Sequence, residues 1–442
     1  MIYNKHILII ITLIFTFLSC NRDGDESKII DLENTEEEVI SNEVDDNLIL
    51  SIEVPEGYVR PNIDKIHFVL YDDSDSMIGY ATHKSGSSET LQIFSENEFD
   101  NEALFSIAII TNFEDEILFQ KLYKKINLNL LRNIIKLTPK GLGATTNILE
   151  KPIINLDSRW SLRASGNGYS IIANQENKFR GHFSSNHFNE LGLNKSFISY
   201  INSENPYDYK YNFIDNNDLK NLESINTSTL LDVNVKHGSI EIDNPYELAF
   251  MEIRGYETVK KYEADVGHLL YSNNIRLDFF GTYYSYADIF TNIKYKIQHA
   301  NYEIEGVDTI PNKLILPQES INYTFENQTI NYTGLNNFET VRFYLRNTSG
   351  LALTTFLMTS DDQTQITIPK IPSEIFENAI LKDKIGNVQY ELLQAASENY
   401  IDFENYNEFI AKTLGIGKPF YLTSKSRERV WKSTNGTFLL PF

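Results

Sequence analysis

A chain of 442 residues with 61 acidic against 39 basic side chains carries a formal charge of -22, which argues against nucleic acid as a partner, since a phosphate backbone is met by clustered Lys and Arg. One cysteine leaves no disulfide framework, so stability has to come from packing. Hydrophobic residues make up 41% and aromatic ones 12%, enough for buried cores, and the length fits about two to four domains.

Lys5 and His6 precede an uncharged run from Ile7 to Leu18 that is apolar apart from Thr12 and Thr16. It fits the hydrophobic region of a secretory signal, roughly 7 to 15 residues, and is too short to span a bilayer, which takes roughly 20. The run closes on Phe17-Leu18-Ser19-Cys20, a small residue directly before the chain's one cysteine. This resembles a bacterial lipobox, with Phe17 where the pattern most often has Leu. The resemblance implies cleavage after Ser19, so that 1–19 is a signal peptide, and lipid on the Cys20 thiol. Several acyl chains would hold the protein stably on a membrane. An ordinary cleaved secretory signal and a buried structural cysteine are the alternatives.

From Asn21 to Asn47 the chain turns acidic, with eleven Asp and Glu against Arg22 and Lys28. Like charges extend such a segment, and its few aliphatic residues cannot offset ordering entropy, so 20–47 is expected to be a lipidated tether. Asp23, Asp25 and Glu26 resemble the acidic surface-export signals of Bacteroidota lipoproteins. The expected location is the outer membrane, on its surface or its periplasmic face.

Beyond the tether the sequence predicts a mainly β chain of tandem β-sandwiches with a short C-terminal helix. In 48–140, Leu48, Leu50, Ile52 and Val54 alternate with polar neighbours, the period of a half-buried strand. Ile66–Tyr71 and Met77–Thr82 flank an acidic turn, and Leu104–Thr111, Ile117–Tyr123 and Asn133–Leu137 follow. Short strands at regular spacing suggest an immunoglobulin-like sandwich. Asp72, Asp73 and Asp75 lack the glycine and distal Glu of a calcium loop and read as a hairpin tip.

The middle segment, 141–306, predicts a β-rich domain with strands at Tyr169–Ala173, Phe179–Phe183, Ser196–Ile201, Leu230–Val235, Ser239–Ile242, Leu248–Ile253, Ile275–Tyr284 and Ile293–Ala300. A short helix is expected near Ser185–Leu193. Gly141-Leu142-Gly143 and Gly166-Asn167-Gly168 do not join a strand to a helix as a phosphate loop must, and they read as turns. His182 and His187 are five apart, which on a strand sets them on opposite faces. No metal or cofactor is predicted.

In 307–442 the run TINYTGLNNFETVRFYL (329–345), followed by TQITIPKIP (364–372), resembles the strand rhythm of fibronectin type III domains in Bacteroidota lipoproteins. The resemblance implies a fibronectin type III-like sandwich. After it, Val388–Leu393 reads as a strand and Tyr406–Leu414 as a helix stopped by Gly415. Asp75-Ser76-Met77 and Asp308-Thr309-Ile310 resemble the O-glycosylation signal of exported Bacteroidota proteins.

There is no G-x-S-x-G elbow, reactive cysteine or H-E-x-x-H. The expected function is therefore a noncatalytic surface binding or adhesion module. Its partners are the membrane, through lipid on Cys20, and a glycan or an envelope protein. Tyr283, Tyr284 and Tyr286 are the candidate ligand-binding residues, as aromatic planes suit the apolar faces of pyranoses; ordinary strand tyrosines are the plainer alternative. A structural or accessory lipoprotein of an outer-membrane complex is the second function, and a glycan hydrolase, whose carboxylates are recognised only in space, the third.

Overall fold

The computed structural model of the chain describes residues 48–434, apart from short stretches of which 185–194 and 416–425 are the longest. Cys20, the tether, His187 and the helix expected near Ser185–Leu193 lie outside the described residues. No described helix is long and apolar enough to cross a membrane. The protein is mainly β.

The first segment forms β1 (Leu48–Val54), β2 (Ile63–Tyr71), β3 (Met77–Lys84), β4 (Glu89–Phe94), β5 (Leu104–Phe113), β6 (Leu118–Asn127) and β7 (Ile134–Lys136). The strands expected there are present; β4, which buries only Leu91 and Ile93, is additional. The acidic turn after β2 is a hairpin tip. Asp72 Oδ1 accepts from the amides of Ser74 and Ser76 at 2.9 Å each. Asp75 pairs with Lys124 and Asp73 with Lys125.

The middle segment contributes β8 (Thr146–Ile154), β9 (Trp160–Gly166), β10 (Tyr169–Ile172), β11 (Lys178–Ser184), β12 (Lys195–Asn202), β13 (Tyr209–Asp215), α1 (Asn216–Asn221), β14 (Ile225–Asn226) and β15 (Leu231–Asp232). It continues through β16 (Val235–Ile242), β17 (Ala249–Tyr256), α2 (Val259–Glu263), β18 (His268–Ile275), β19 (Thr282–Ala287), β20 (Asn292–His299) and β21 (Tyr302–Val307). Instead of one strand over 275–284 there are two, with β18 ending at Ile275 and β19 beginning at Thr282.

The last segment forms β22 (Lys313–Leu314), β23 (Asn322–Glu326), β24 (Thr329–Thr333), β25 (Thr340–Asn347), β26 (Leu353–Ser360), β27 (Gln365–Thr367), α3 (Ala379–Gly386), β28 (Tyr390–Tyr400), α4 (Tyr406–Ile410) and β29 (Arg427–Ser433). The expected C-terminal helix is α4 with the π turn that follows it, Ala411–Gly415. Asn405 caps it, its side chain accepting from the Glu408 amide at 2.9 Å. Asn378 caps α3 in the same way, accepting from Ile380 and Leu381, which satisfies amides that a helix start leaves open.

Strands from all three segments meet in one twelve-stranded sheet, ordered β18-β17-β20-β21-β29-β28-β25-β26-β6-β5-β2-β3. Neighbours are antiparallel except β26 and β6, which run parallel. Residues 45–442 form one compact unit. Both faces of the sheet are covered. On one, Ile66, Phe68 and Leu70 of β2, Ile107 and Ile109 of β5, and Tyr400 of β28 pack beneath the small sheet β4-β1-β7 and α4. On the other, Val69, Ala108, Phe343 and Leu357 pack against the sheet β23-β24-β27 and α3. Each such side chain stabilises the fold by about 1.5–3 kcal/mol of apolar burial. Further along that second face, Met251, Ile253 and Ile297 meet Ile240, Tyr286 and Ala287 of the sheet β19-β16-β22. A five-stranded sheet, β10-β9-β12-β13-β15, and a three-stranded sheet, β11-β8-β14, account for the remaining strands. Leu162, Ile198 and Tyr200 on one side of the five-stranded sheet meet Ile153 and Ile225, while Phe197 and Tyr209 on the other join the core around β16 and β19.

Where β29 enters the large sheet, the first face is charged although buried. Glu398, Arg429 and Glu303 sit directly opposite one another on β28, β29 and β21, and Arg427 faces Glu305 in the next row. Arg342 reaches Glu398 at 2.6 Å, Arg427 reaches Glu305 at 2.6 Å, and Lys296 reaches Glu303 at 2.8 Å. Arg429 pairs with Glu303. Burial opposes ionisation of both Glu303 and Glu305, but Arg429 and Lys296 around the first, and Arg427 and Lys294 around the second, hold them below the ordinary carboxylate range. Breaking one such pair strands the other charge. The lattice therefore favours one register of β29.

Candidate functional site

Period-2 alternation decides what the three candidate tyrosines can do. β19 pairs antiparallel with β16, setting Tyr284 opposite Gly238, Tyr286 opposite Lys236, Tyr283 opposite Ser239 and Ser285 opposite His237. Tyr284 and Tyr286 share the inner face, stacked at 6.3 Å with 17° between their planes. Tyr286 is buried and Tyr284 half-buried in the core beneath. Burial raises the Tyr286 hydroxyl to about 12 and raises that of Tyr284 as well. The Tyr284 ring lies over Gly238, where a Cβ would stand 2.4 Å from the Tyr284 hydroxyl oxygen; glycine is what admits the ring.

Tyr283 points the other way and is 73% exposed. Its backbone oxygen accepts a hydrogen bond from the Tyr271 hydroxyl at 2.7 Å, which anchors the strand at that position. The same outer face carries exposed His237 and Ser239. Against His237 stands Tyr207, edge to face, with ring centroids 4.6 Å apart and an interplanar angle of 86°. Tyr207 is 57% exposed and is held by the β12–β13 turn. The Asn205 side chain accepts from the Tyr207 amide at 3.2 Å, and the Asp208 amide donates to the Asn205 carbonyl at 2.9 Å. The lysines alongside have carboxylate partners: Lys236 lies 2.9 Å from Asp288, and Lys210 lies 3.4 Å from Asp232. What the face presents is aromatic edge and plane with hydroxyl groups between.

The structure thus separates the three tyrosines, two toward the core and Tyr283 toward solvent, and sets Tyr283 on the same sheet face as His237, the ring that Tyr207 meets. In the sequence Tyr207 opens a run of alternating tyrosines, Tyr207, Tyr209 and Tyr211, which is a signal of aromatic clustering. His237 offered none, because its partner comes from another sheet. Tyr209 and Tyr211, in the same run, turn inward.

Other histidines act within the frame. His67 meets Thr82 at 2.9 Å, His83 meets Glu89 at 2.8 Å, and His268 lies between Ser165 and Glu257. His182 is on β11, and its relation to His187 lies outside the described residues. Among the described residues no group of three or more His, Cys, Asp or Glu is placed to hold a metal ion. Ser76 and Thr309, the hydroxyl residues of the two glycosylation-like triplets, are exposed.

No protein-family model matches the chain, and no curated protein does. Solved structures align with it only loosely. The major pilin protein T-13 of Streptococcus pyogenes aligns over 71% of this chain and 96% of that one, at 8% identity and a TM-score of 0.11. The fimbrial anchor protein Mfa2 of Porphyromonas gingivalis aligns over 58% and 76%, at 9% identity and a TM-score of 0.12. The tip fimbrial protein Mfa3 of the same organism aligns over 61% and 83%, at 8% identity and a TM-score of 0.12. TM-scores this low establish neither a shared fold nor a shared role, so the functional reading rests on the chain's own residues.

Proposed function

We propose that this chain is a noncatalytic binding module of the cell envelope, anchored through lipid on Cys20 and the acidic tether 20–47, that engages a neutral glycan on the outer face of β16 and β19. The supporting observation is Tyr283, standing 73% exposed beside the edge-on pair of Tyr207 and His237. An aromatic ring so exposed gives up burial that its neighbours on the same strand obtain. It offers a plane on which the C–H face of a sugar can rest, with Ser239 and the tyrosine hydroxyls to hydrogen-bond at its rim. The lysines beside the face are already paired with carboxylates, which suits an uncharged partner better than an anionic one.

The test is glycan binding by the purified chain, by array and then by calorimetry. Tyr283→Ala and Tyr207→Ala should each weaken binding about tenfold, with an unchanged melting temperature, and affinity should vary little with salt because screening acts on charges. Retained binding in both variants, or recovery of the protein bound to an outer-membrane transporter with no glycan affinity, overturns the reading in favour of an accessory lipoprotein.

A further inference from the structure

The five-stranded sheet meets the edge of the large sheet at one imidazole. His268, at the start of β18, is 3% exposed and lies among the rings of Phe197, Phe213 and Phe290 at 5.4 to 5.9 Å. Its Nδ1 is 3.1 Å from the backbone oxygen of Ser165 on β9, and its Nε2 is 3.3 Å from Glu257 Oε1 in the turn between β17 and α2. Ser165 Oγ donates in return to the Leu269 carbonyl at 3.2 Å. Polar bonds thus cross between the two sheets beside the apolar contact of these rings.

Both neighbours of the ring are acceptors. The Ser165 atom is a carbonyl oxygen. Glu257 is a carboxylate: burial opposes its ionisation, but hydrogen bonds from His268 and Lys261 outweigh that and bring it to about 2. A neutral imidazole has one N–H and one lone pair, so it can satisfy one of these oxygens and must turn a lone pair on the other. Only the imidazolium donates to both. On losing a proton the ring keeps the N–H that faces the anion, and the bond to Ser165 is the one lost.

We propose that His268 is a proton-operated clamp that, when charged, ties β9 of the five-stranded sheet to the β17–α2 turn of the large sheet and, when neutral, gives up its bond to Ser165 of β9. Histidine is the side chain whose two charge states suit such a contact, since its two ring nitrogens gain or lose the second N–H with one proton. The titratable and charged groups on the surrounding elements are Glu257 and Lys261, which pair with each other; Arg163, on the same face of β9 as Ser165; Lys195 and Asp215, opposite each other on β12 and β13; and Tyr209 and Tyr211 on β13. Glu257 is the one bonded to the ring, and Lys261 fixes Glu257 from its other side.

The experiment uses the full chain with ¹⁵N-labelled histidine, followed by ring ¹⁵N shifts and by amide exchange over 268–275 from pH 5.5 to 8. Both ring nitrogens should carry protons at pH 5.5, with Nδ1 losing its proton as pH rises. Exchange, corrected for its intrinsic pH dependence, should accelerate about tenfold in step, the effect of one charge-assisted hydrogen bond. Glu257→Gln should move the midpoint down by about one pH unit or more, because it removes the opposing charge. His268→Phe should abolish the step while keeping a ring among the three phenylalanines. A ring that is neutral from pH 5.5 upward overturns the proposal, as does an equal exchange step in His268→Phe. If that variant fails to fold, the wild-type shifts and the Glu257→Gln midpoint decide the matter.

Discussion

His67 should make this protein acid-sensitive by an amount that follows from its surroundings. It lies on β2, 1% exposed, edge-on to Phe376 at 5.1 Å, with Nδ1 2.9 Å from Thr82 Oγ1 and no hydrogen-bond partner at Nε2. Protonation would bury a charged N–H facing no acceptor. Burial, reinforced by Lys65 and only partly offset by Asp64 and Glu377, lowers its pKa from 6.5 to about 4. Because the folded value is the lower one, protons favour the unfolded chain. The stability is complete above about pH 6.5 and is lost as pH falls through about 4. At about 1.36 kcal/mol per pH unit the loss is about 1.4 kcal/mol by pH 5.5 and about 3 kcal/mol below pH 4. His67→Asn keeps a polar atom toward Thr82 and removes the titration, at a cost of about 1 kcal/mol in lost ring contact. In urea unfolding followed by tryptophan fluorescence, the variant's deficit of about 1 kcal/mol at pH 7.5 should reverse to an advantage of about 0.4 kcal/mol at pH 5.5, a swing of about 1.4 kcal/mol. A deficit of the same size at both pH values would refute the assignment of His67 as a neutral, buried imidazole.

Glu398→Ala should destabilise the protein by about 3–5 kcal/mol, because it removes the carboxylate 2.6 Å from the buried Arg342 guanidinium, whereas Glu391→Ala, at the exposed pair with Arg346, should change stability by less than about 1 kcal/mol; chemical denaturation of the two variants side by side checks both. Gly238→Ala should cost about 1–3 kcal/mol by forcing the Tyr284 ring off its seat, and a thermal melt equal to wild type would show that the ring yields freely. Cys20→Ala should leave the protein out of the membrane fraction or unprocessed, and unchanged lipid labelling of that variant would end the lipid-anchor reading.

Strands with one wet and one dry face were legible. β1 and β24 bury alternate residues, and β1 was expected at its observed bounds. The large sheet was not legible, because its central strands break the rule that polar residues lie outside. β29 reads Arg-Glu-Arg-Val-Trp-Lys-Ser, the composition of a surface segment, yet Arg429 and Trp431 are buried at the middle of the sheet. Their partners Glu303 and Ala396 lie far off in the chain, so no local window holds the signal. Three apparent segments became one sheet for the same reason. At the tyrosines, alternation gave the grouping of Tyr284 with Tyr286 apart from Tyr283. It could not say which group faced the core, since aromatic residues stand on both faces of β19.

The position of β29 also bears on how the chain matures. It is the last strand described and lies between two that precede it, with Arg429 and Glu303 meeting across 126 residues. Contacts of such long range form slowly. Until β29 arrives, β21 and β28 are open edges, and the sheet exists as two halves of four and seven strands. Open edges are templates for unwanted pairing. In a chain that emerges amino end first, the large sheet therefore cannot close until β29 has emerged. A product cut short of Arg427 keeps both of these edges bare and open to such pairing.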